Sequence, residues 1–117
     1  MIKALVNNSW ELFDINELQP GTSVFNFETG LYETIRTRGH RPILLTPHLD
    51  RLFNSAKSTD LKSPFHRKKV ESMMMKVIES SPEPDQRVRV LLVTDKVIIY
   101  TMPLDLDYDI YNGVSVI

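Results

Sequence analysis

Residues 30–57 read GLYETIRTRGHRPILLTPHLDRLFNSAK, and this stretch predicts a strand, a tight turn, a second strand and a helix. Side chains alternate over residues 31–37 with the period of a β-strand. The alternation predicts two faces, one with Leu31, Glu33 and Ile35 and the other with Tyr32, Thr34 and Arg36. A turn follows at residues 38–40, because Gly39 tolerates the positive φ that tight hairpin turns require. The chain therefore reverses direction at this point.

The second half of this stretch predicts a short returning strand at residues 42–45 and then a helix. Thr46 is expected to be the N-cap, and Pro47 the first helical residue, because proline lacks the N–H that would be unpaired there. Apolar residues then recur at i, i+3, i+4 and i+7, which is the pattern of a helix with one buried face. This apolar stripe consists of Leu49, Leu52, Phe53 and Ala56.

Arg51 lies at the flank of the apolar stripe, next to Leu52. Its guanidinium offers several donors in a rigid fork, which suits binding of an anion in a neighbouring cleft. Most helical arginines are surface residues, however, so the spacing alone favours a solvated charge. Both interpretations remain open from the residues themselves.

The strand GLYETIR, a short turn and the helix LTPHLDRLFNSA together resemble the N-terminal signature of the fold-type IV pyridoxal-phosphate enzymes. This family includes branched-chain aminotransferases, D-amino acid aminotransferases and aminodeoxychorismate lyases. The resemblance implies that pyridoxal 5'-phosphate is the cofactor, that Arg51 binds its phosphate, and that Tyr32 and Thr34 face the substrate side. The family often has a Phe-Gly-Asp-Gly type of run just before the strand, where this chain has Phe27-Glu28-Thr29-Gly30.

Composition places the chain in the class of small globular domains. It has 117 residues, of which 42% are hydrophobic and 25% charged, which predicts one soluble domain. The sequence shows neither a long apolar run nor a charged leader, so we expect no membrane span and no signal peptide. The lack of cysteine favours a cytoplasmic protein. A net charge of -1 gives no general attraction to nucleic acid or to anionic membranes.

The rest of the chain predicts further hairpins and one more helix. Two β-prone runs, at residues 2–7 and 10–13, flank a turn-forming cluster of asparagine and serine. Residues 64–80 carry apolar side chains with a helical period, and residues 87–93 and 97–102 read as another hairpin. The expected fold class is therefore α+β, an antiparallel sheet of hairpins with two amphipathic helices packed on one face.

Arg89 interrupts the first strand of that last hairpin. The family places residues of the substrate or cofactor side in this region, so the resemblance makes Arg89 a candidate for substrate binding. Cross-strand pairing of Arg89 with an acidic residue is the alternative. The D-amino acid enzymes carry an Arg-x-His carboxylate trap nearby, and its absence here argues against specificity for D-amino acids.

No other group of residues predicts a catalytic or metal site. The alternating Asp105, Asp107 and Asp109 are best explained as a charged strand edge, because calcium loops need a turn and more oxygen ligands. His48 and Asp50 are two residues apart on the helix and face different directions, so they form neither a catalytic pair nor a chelate. All three histidines, His40, His48 and His66, are expected to be surface or capping residues.

The lysine that the family's chemistry requires is not found at a matching position. In the family, the Schiff-base lysine and the acid that pairs with the pyridine nitrogen come from a C-terminal domain. None of the seven lysines of this chain matches the family's lysine position. The β-prone run at residues 113–117 ends without a turn, as if the chain were cut. We therefore expect residues 1–117 to form a single small N-terminal domain that lacks the catalytic-lysine domain and has no catalytic residue of its own.

Three functions follow from the resemblance. The parent protein would transfer an amino group between an amino acid and a 2-oxo acid, working with its own C-terminal domain, usually as a homodimer. Alternatively, it would be an aminodeoxychorismate lyase that releases pyruvate and 4-aminobenzoate. If the natural chain ends at Ile117, it would instead be a non-catalytic binding or dimerisation module. The 117 residues alone are expected to be inactive.

Overall fold

The computed structural model describes residues 2–14, 30–93 and 95–103. Within these ranges, six strands and two helices follow one another along the chain. They are β1 (Ile2–Val6), β2 (Ser9–Phe13), β3 (Leu31–Arg38), β4 (Arg41–Pro42), α1 (Leu45–Ser58), α2 (Arg67–Ser80), β5 (Gln86–Val93) and β6 (Lys96–Pro103). The run Phe27-Glu28-Thr29, the three alternating aspartates and the expected C-terminal strand lie outside the described residues.

The strands form one antiparallel sheet in the order β2-β1-β6-β5-β3-β4. Three hairpins build it, β1–β2, β3–β4 and β5–β6, and β1, β6, β5 and β3 are its inner strands. The register between β3 and β5 pairs Leu31 with Leu92 and Thr34 with Arg89. This register matters for the site, because it decides which side chains of the two strands become neighbours.

Both helices pack on the same face of the sheet, as the sequence predicted. The apolar residues of α1 and α2 form one core with every second residue of the strands. Its fully buried members include Leu49, Val70, Ile35, Val90 and Ile99. On the opposite face, a second cluster is formed by Ala4, Val6, Leu91, Val93, Ile98 and Tyr100. The α+β fold class expected from the sequence is confirmed.

The start of α1 differs from the prediction. Strand β4 ends at Pro42, one residue after it begins, and the backbone N–H of Ile43 then donates to the carbonyl of Arg36 at 2.8 Å. Leu44 adopts the left-handed conformation with φ 56° and is the N-cap, without a side-chain hydrogen bond. The predicted N-cap Thr46 therefore lies inside the helix. Pro47 is tolerated in the first turn, where its missing N–H would have no intrahelical partner.

Helix α2, in contrast, begins later than predicted, at Arg67 rather than near Pro64. His66 is its N-cap, and the imidazole Nδ1 accepts a hydrogen bond from the backbone N–H of Lys69 at 3.4 Å. The capping role expected for this histidine is confirmed. Arg67 ties the two helices together, because its guanidinium pairs with Asp50 and donates to the carbonyl of Thr46 at 3.1 Å.

Candidate functional site

Strand β3 carries candidate residues on both faces of the sheet. Glu33 points toward the helices, on the face that also holds the buried Ile35. Tyr32 and Thr34 leave the strand on the opposite face, as the alternation predicted. The site is therefore built from two clusters, one on each side of the same strand.

The cluster on the helix side centres on the carboxylate of Glu33. Its side chain is only 8% exposed, and Val90 stands opposite it on β5. Arg51 donates to it through Nε, at 3.2 Å from Oε2, and through Nη2 to Oε1. His48 lies 2.6 Å from Oε1 through its Nδ1. A carboxylate buried beside Ile35 thus has charge-assisted hydrogen bonds from two residues of α1, as a buried carboxylate requires.

These contacts also determine the ionisation of Glu33. Burial by itself would raise the pKa of the carboxyl, but the hydrogen bonds from Arg51 and His48, together with the charges of both groups, lower it below its ordinary value. Glu33 is therefore ionised at neutral pH. The same contact raises the pKa of Arg51, because the guanidinium donates to a carboxylate.

The short contact shows which ring nitrogen of His48 donates. Two acceptors would repel each other at 2.6 Å, so Nδ1 carries a proton and donates to Glu33. The 3.3 Å separation between His48 Nδ1 and Arg51 Nη2 is then a contact between two donors that share one acceptor. His48 is thus neither a capping residue nor a free surface residue, which corrects the expectation. A pattern read along one helix does not show that His48 and Arg51, three residues apart, both reach a strand.

Arg51 remains largely open to water despite this ion pair, with 67% of its side chain exposed. The pairing with Glu33 uses the N–H of Nε and one of the two N–H groups of Nη2. A guanidinium carries five N–H donors, so three of them, on Nη1 and the outer side of Nη2, are not used by Glu33. This free edge has the geometry that binds carboxylate and phosphate oxygens in pairs.

The cluster on the opposite face brings together three residues that the sequence singled out. Arg89 donates through Nε to the hydroxyl of Thr34 at 3.4 Å, and its guanidinium carbon lies 5.2 Å from the ring centre of Tyr32. Its Nη1 also donates to the hydroxyl of Tyr100 at 3.3 Å. The sequence left open an acidic cross-strand partner for Arg89, and the structure places two hydroxyl groups there instead.

Tyr100 was not singled out from the sequence, because it sits within a continuous apolar run of β6. It stands opposite Arg89 in the β5–β6 register and is buried. Burial raises the pKa of its hydroxyl, and the nearby positive charge of Arg89 opposes that rise. The hydroxyl of Tyr100 is therefore neutral and accepts from Nη1 of Arg89. Thr34 accepts from Nε of the same guanidinium, and the ring of Tyr32 lies against its carbon.

The two clusters border the same edge of the sheet. Strand β4 pairs only with Thr37 and Arg38, so among the described residues no strand lies beside residues 31–35 on that side. Tyr32 and Glu33 are adjacent, and their side chains leave the strand in opposite directions at the same point along this edge. A ligand lying against it would border Arg51 on one side and Tyr32 on the other.

Neither cluster includes a lysine in the part of the chain that the structure describes. None of the seven lysines forms a hydrogen bond or an ion pair with Glu33, Arg51 or Arg89. The described residues also hold no group of three His, Cys, Asp or Glu side chains that could bind a metal ion. No described helix is both long and apolar enough to cross a membrane.

Comparison with known families matches residues 30–108 to the model of the amino-transferase class IV family. The match spans β3 to β6 and contains every residue of the two clusters. The chain belongs to the class IV aminotransferase family. The resemblance proposed from the strand and helix signatures is thereby confirmed. A comparison with curated protein sequences finds no significant match.

Solved structures show the same fold as this class IV aminotransferase chain. A branched-chain aminotransferase from the archaeon Thermoproteus uzoniensis, determined with norvaline, is 18% identical with a TM-score of 0.68, over 88% of this chain and 41% of that one. The branched-chain amino acid aminotransferase of Escherichia coli is 18% identical with a TM-score of 0.70, over 88% and 40%. The T.th. branched-chain amino acid aminotransferase, complexed with N-(5'-phosphopyridoxyl)-L-glutamate, is 17% identical with a TM-score of 0.68, over 89% and 40%.

The class IV aminotransferase chain described here spans about two fifths of the length of these solved structures. Their remaining three fifths have no counterpart in the matched part of this chain. The shared fold covers 88–89% of this chain.

Proposed function

We propose that this chain is the small domain of a pyridoxal-phosphate-dependent aminotransferase, and that it supplies the arginine that binds the cofactor phosphate. The observation that carries the proposal is the free edge of Arg51. Its guanidinium is held by the buried Glu33 and exposes the donors that Glu33 does not use. The class IV family match supports this function, as does the shared fold with an enzyme determined with a phosphopyridoxyl ligand.

The residues of the chain fit the phosphate half of the cofactor. Arg51 offers paired donors to a dianionic phosphate, and Tyr32 presents a half-exposed aromatic ring at the same edge of β3. When bound, pyridoxal phosphate supplies the electron-accepting ring on which an amino group is exchanged. Arg51 binds and orients the phosphate in this proposal, and no residue of the chain carries out proton transfer.

Arg89, Tyr32 and Thr34 form the substrate side of the proposed site. The fixed guanidinium of Arg89 suits a substrate carboxylate, because an arginine held by hydroxyl groups keeps donors for an anion and is not neutralised by an acid. An amino acid and a 2-oxo acid both carry such a carboxylate. The aminodeoxychorismate lyase reaction uses the same cofactor and stays a prediction from the resemblance.

A second domain would complete the site. Since no lysine joins either cluster among the described residues, we propose that the cofactor-binding lysine and the acid for the pyridine nitrogen come from the C-terminal domain of the parent protein. Assembly as a homodimer and a cytoplasmic location also stay predictions. A non-catalytic binding module remains the alternative, and it would keep the anion site without the chemistry.

The test is titration of the chain with pyridoxamine 5'-phosphate and, separately, with pyridoxamine, followed by NMR. Neither ligand has an aldehyde, so neither reacts with surface lysines. We expect the phosphorylated ligand to bind more tightly, and Arg51→Ala to remove that preference with a loss of about ten-fold or more, the scale of a charged hydrogen bond. Arg67→Ala is the matched control, because Arg67 pairs with Asp50 away from the β3 edge. An undiminished preference in Arg51→Ala would remove Arg51 from the phosphate site.

A further inference from the structure

The geometry points to Glu33 as a positioning residue for the phosphate arginine. We propose that its carboxylate holds the Nε and Nη2 side of Arg51, so that the edge formed by Nη1 and the outer Nη2 position faces the anion. This inference rests on the proposed role of Arg51. It adds a second residue, on a different element, that sets how well Arg51 binds the phosphate without touching the phosphate itself.

Arg51 depends on a hydrogen-bond partner to fix its orientation, because its side chain is exposed to water. Two-thirds of its side chain faces water, and Glu33 is the residue that accepts hydrogen bonds from it within the described ranges. A free arginine loses much of its rotamer freedom when it binds a ligand, and this loss weakens binding. An arginine already held in the binding orientation has lost that freedom on folding, so the anion binds more tightly.

Glu33 is suited to hold it because Glu33 is itself immobile. It lies in the middle of β3, pairs with Val90 on β5, and is buried on the face covered by α1. His48 donates a further hydrogen bond to Oε1, which fixes the carboxylate from a second direction. The lowered pKa of Glu33 keeps the carboxylate charged throughout the neutral range. Among the described residues, the ionisable groups in contact with it are His48 and Arg51, both from α1, while β5 presents an apolar side chain.

A carboxylate beside the arginine also has an opposing effect, since it cancels positive charge that would attract an anion. The two effects predict opposite results for Glu33→Gln, which keeps the shape and removes the charge. If positioning dominates, phosphate binding weakens. If charge cancellation dominates, phosphate binding becomes tighter. We expect positioning to dominate, because water screens charges around a side chain as exposed as that of Arg51.

The experiment is a double-mutant cycle on the chain, with pyridoxamine 5'-phosphate as the probe and backbone-amide and arginine Nε–H NMR signals as the readout. Glu33→Gln is expected to weaken binding about three- to ten-fold, the scale of ordering one long side chain. In an Arg51→Ala background, Glu33→Gln is expected to have no further effect, because its action passes through Arg51. In the wild type, the Nε–H signal of Arg51 should be sharp before the ligand is added.

The outcomes distinguish failure of the positioning role of Glu33 from failure of the proposed phosphate role of Arg51. If Arg51→Ala weakens binding but Glu33→Gln leaves it unchanged or tighter, the positioning role is wrong and the phosphate arginine stands. If Arg51→Ala has no effect, or the wild type shows no preference for the phosphorylated ligand, both are wrong. An effect of Glu33→Gln that persists without Arg51 would show a general structural or electrostatic effect, which also overturns positioning.

A matched control and a fallback measurement accompany the double-mutant cycle. Asp50→Asn is the matched control, because it removes the carboxylate that pairs with Arg67 one residue before Arg51 on the same helix. It should leave ligand affinity unchanged. If Glu33→Gln does not fold, the Nε–H signal of Arg51 in the wild type takes its place as the test. A sharp signal before the ligand is added would support positioning, and a signal broadened by exchange with water would overturn it.

Discussion

Tyr32 and Glu33 are neighbours in the chain, yet their side chains lie on opposite sides of the sheet, each against a different arginine. Glu33 accepts two hydrogen bonds from Arg51 of α1, and the ring of Tyr32 lies beneath the guanidinium of Arg89 on β5. One pair of adjacent strand residues thus connects both halves of the candidate site. The two halves meet at the edge of β3 along residues 31–35, beside which no other described strand lies.

The stability of the chain should depend on pH through Glu33. The pKa of Glu33 is lowered in the folded state, so its contribution is fully present above the ordinary value of 4.5 and is lost as the pH falls through the lowered value. We expect Glu33→Gln to reduce the free energy of unfolding by about 1–2 kcal/mol at neutral pH. Urea unfolding at several pH values should show this difference shrinking below pH 4.5. A difference that grows toward acidic pH would contradict the assignment.

Removal of Arg89 should change the titration of Tyr100. Burial raises the pKa of this tyrosine and the charge of Arg89 lowers it, so Arg89→Met should raise the pKa further. The ring-carbon NMR signal of Tyr100, followed toward alkaline pH, measures the change directly. Arg87→Met is the control, because Arg87 stands opposite Met102 in the register and not opposite Tyr100. A pKa of Tyr100 that falls in Arg89→Met would show that the two groups do not interact as described.

Asn7 should be the more sensitive of the two asparagines in the turn between β1 and β2. Its side chain donates to the carbonyl of Asp95 at 3.1 Å and accepts from the backbone N–H of Val97 at 2.9 Å, which ties β1 to the β5–β6 turn. Its φ of 47° also suits asparagine better than alanine. Asn7→Ala should lower the free energy of unfolding by about 1–3 kcal/mol. Asn8→Gly, at φ 71°, should be near neutral in the same thermal or urea unfolding assay.

Leu44 should be a position where substitution stabilises the chain. A leucine with φ 56° at a helix N-cap is strained, and this one is also exposed, so little packing would be lost. We expect Leu44→Gly to raise the free energy of unfolding by about 0.5–1 kcal/mol, because relief of strain outweighs the extra chain entropy. Ile43→Gly provides the comparison, since Ile43 does not have a positive φ and should only lose stability. Equal destabilisation by both variants would show that Leu44 is not strained.

Local patterns were sufficient for most of the fold. The alternation along β3 assigned Glu33 and Thr34 to opposite faces, and the helical period found the buried stripe of α1. The predicted boundaries failed where a tertiary or backbone feature overrode local preference. Thr46 and Pro47 suggested a helix start, but the left-handed turn at Leu44 begins the helix earlier.

The sequence by itself determined which residues could form a site, because side-chain type and period are written in the chain. The resemblance of two of its motifs to a known family made Arg51, Tyr32, Thr34 and Arg89 candidates, and the match over residues 30–108 confirms the family. Only the tertiary structure decided their partners. Glu33 meets His48 and Arg51 because α1 packs over β3, and Thr34, Arg89 and Tyr100 meet because of the registers between β3, β5 and β6. Periodicity determines the direction of a side chain from its own element, whereas these contacts depend on the distance between elements, which packing sets.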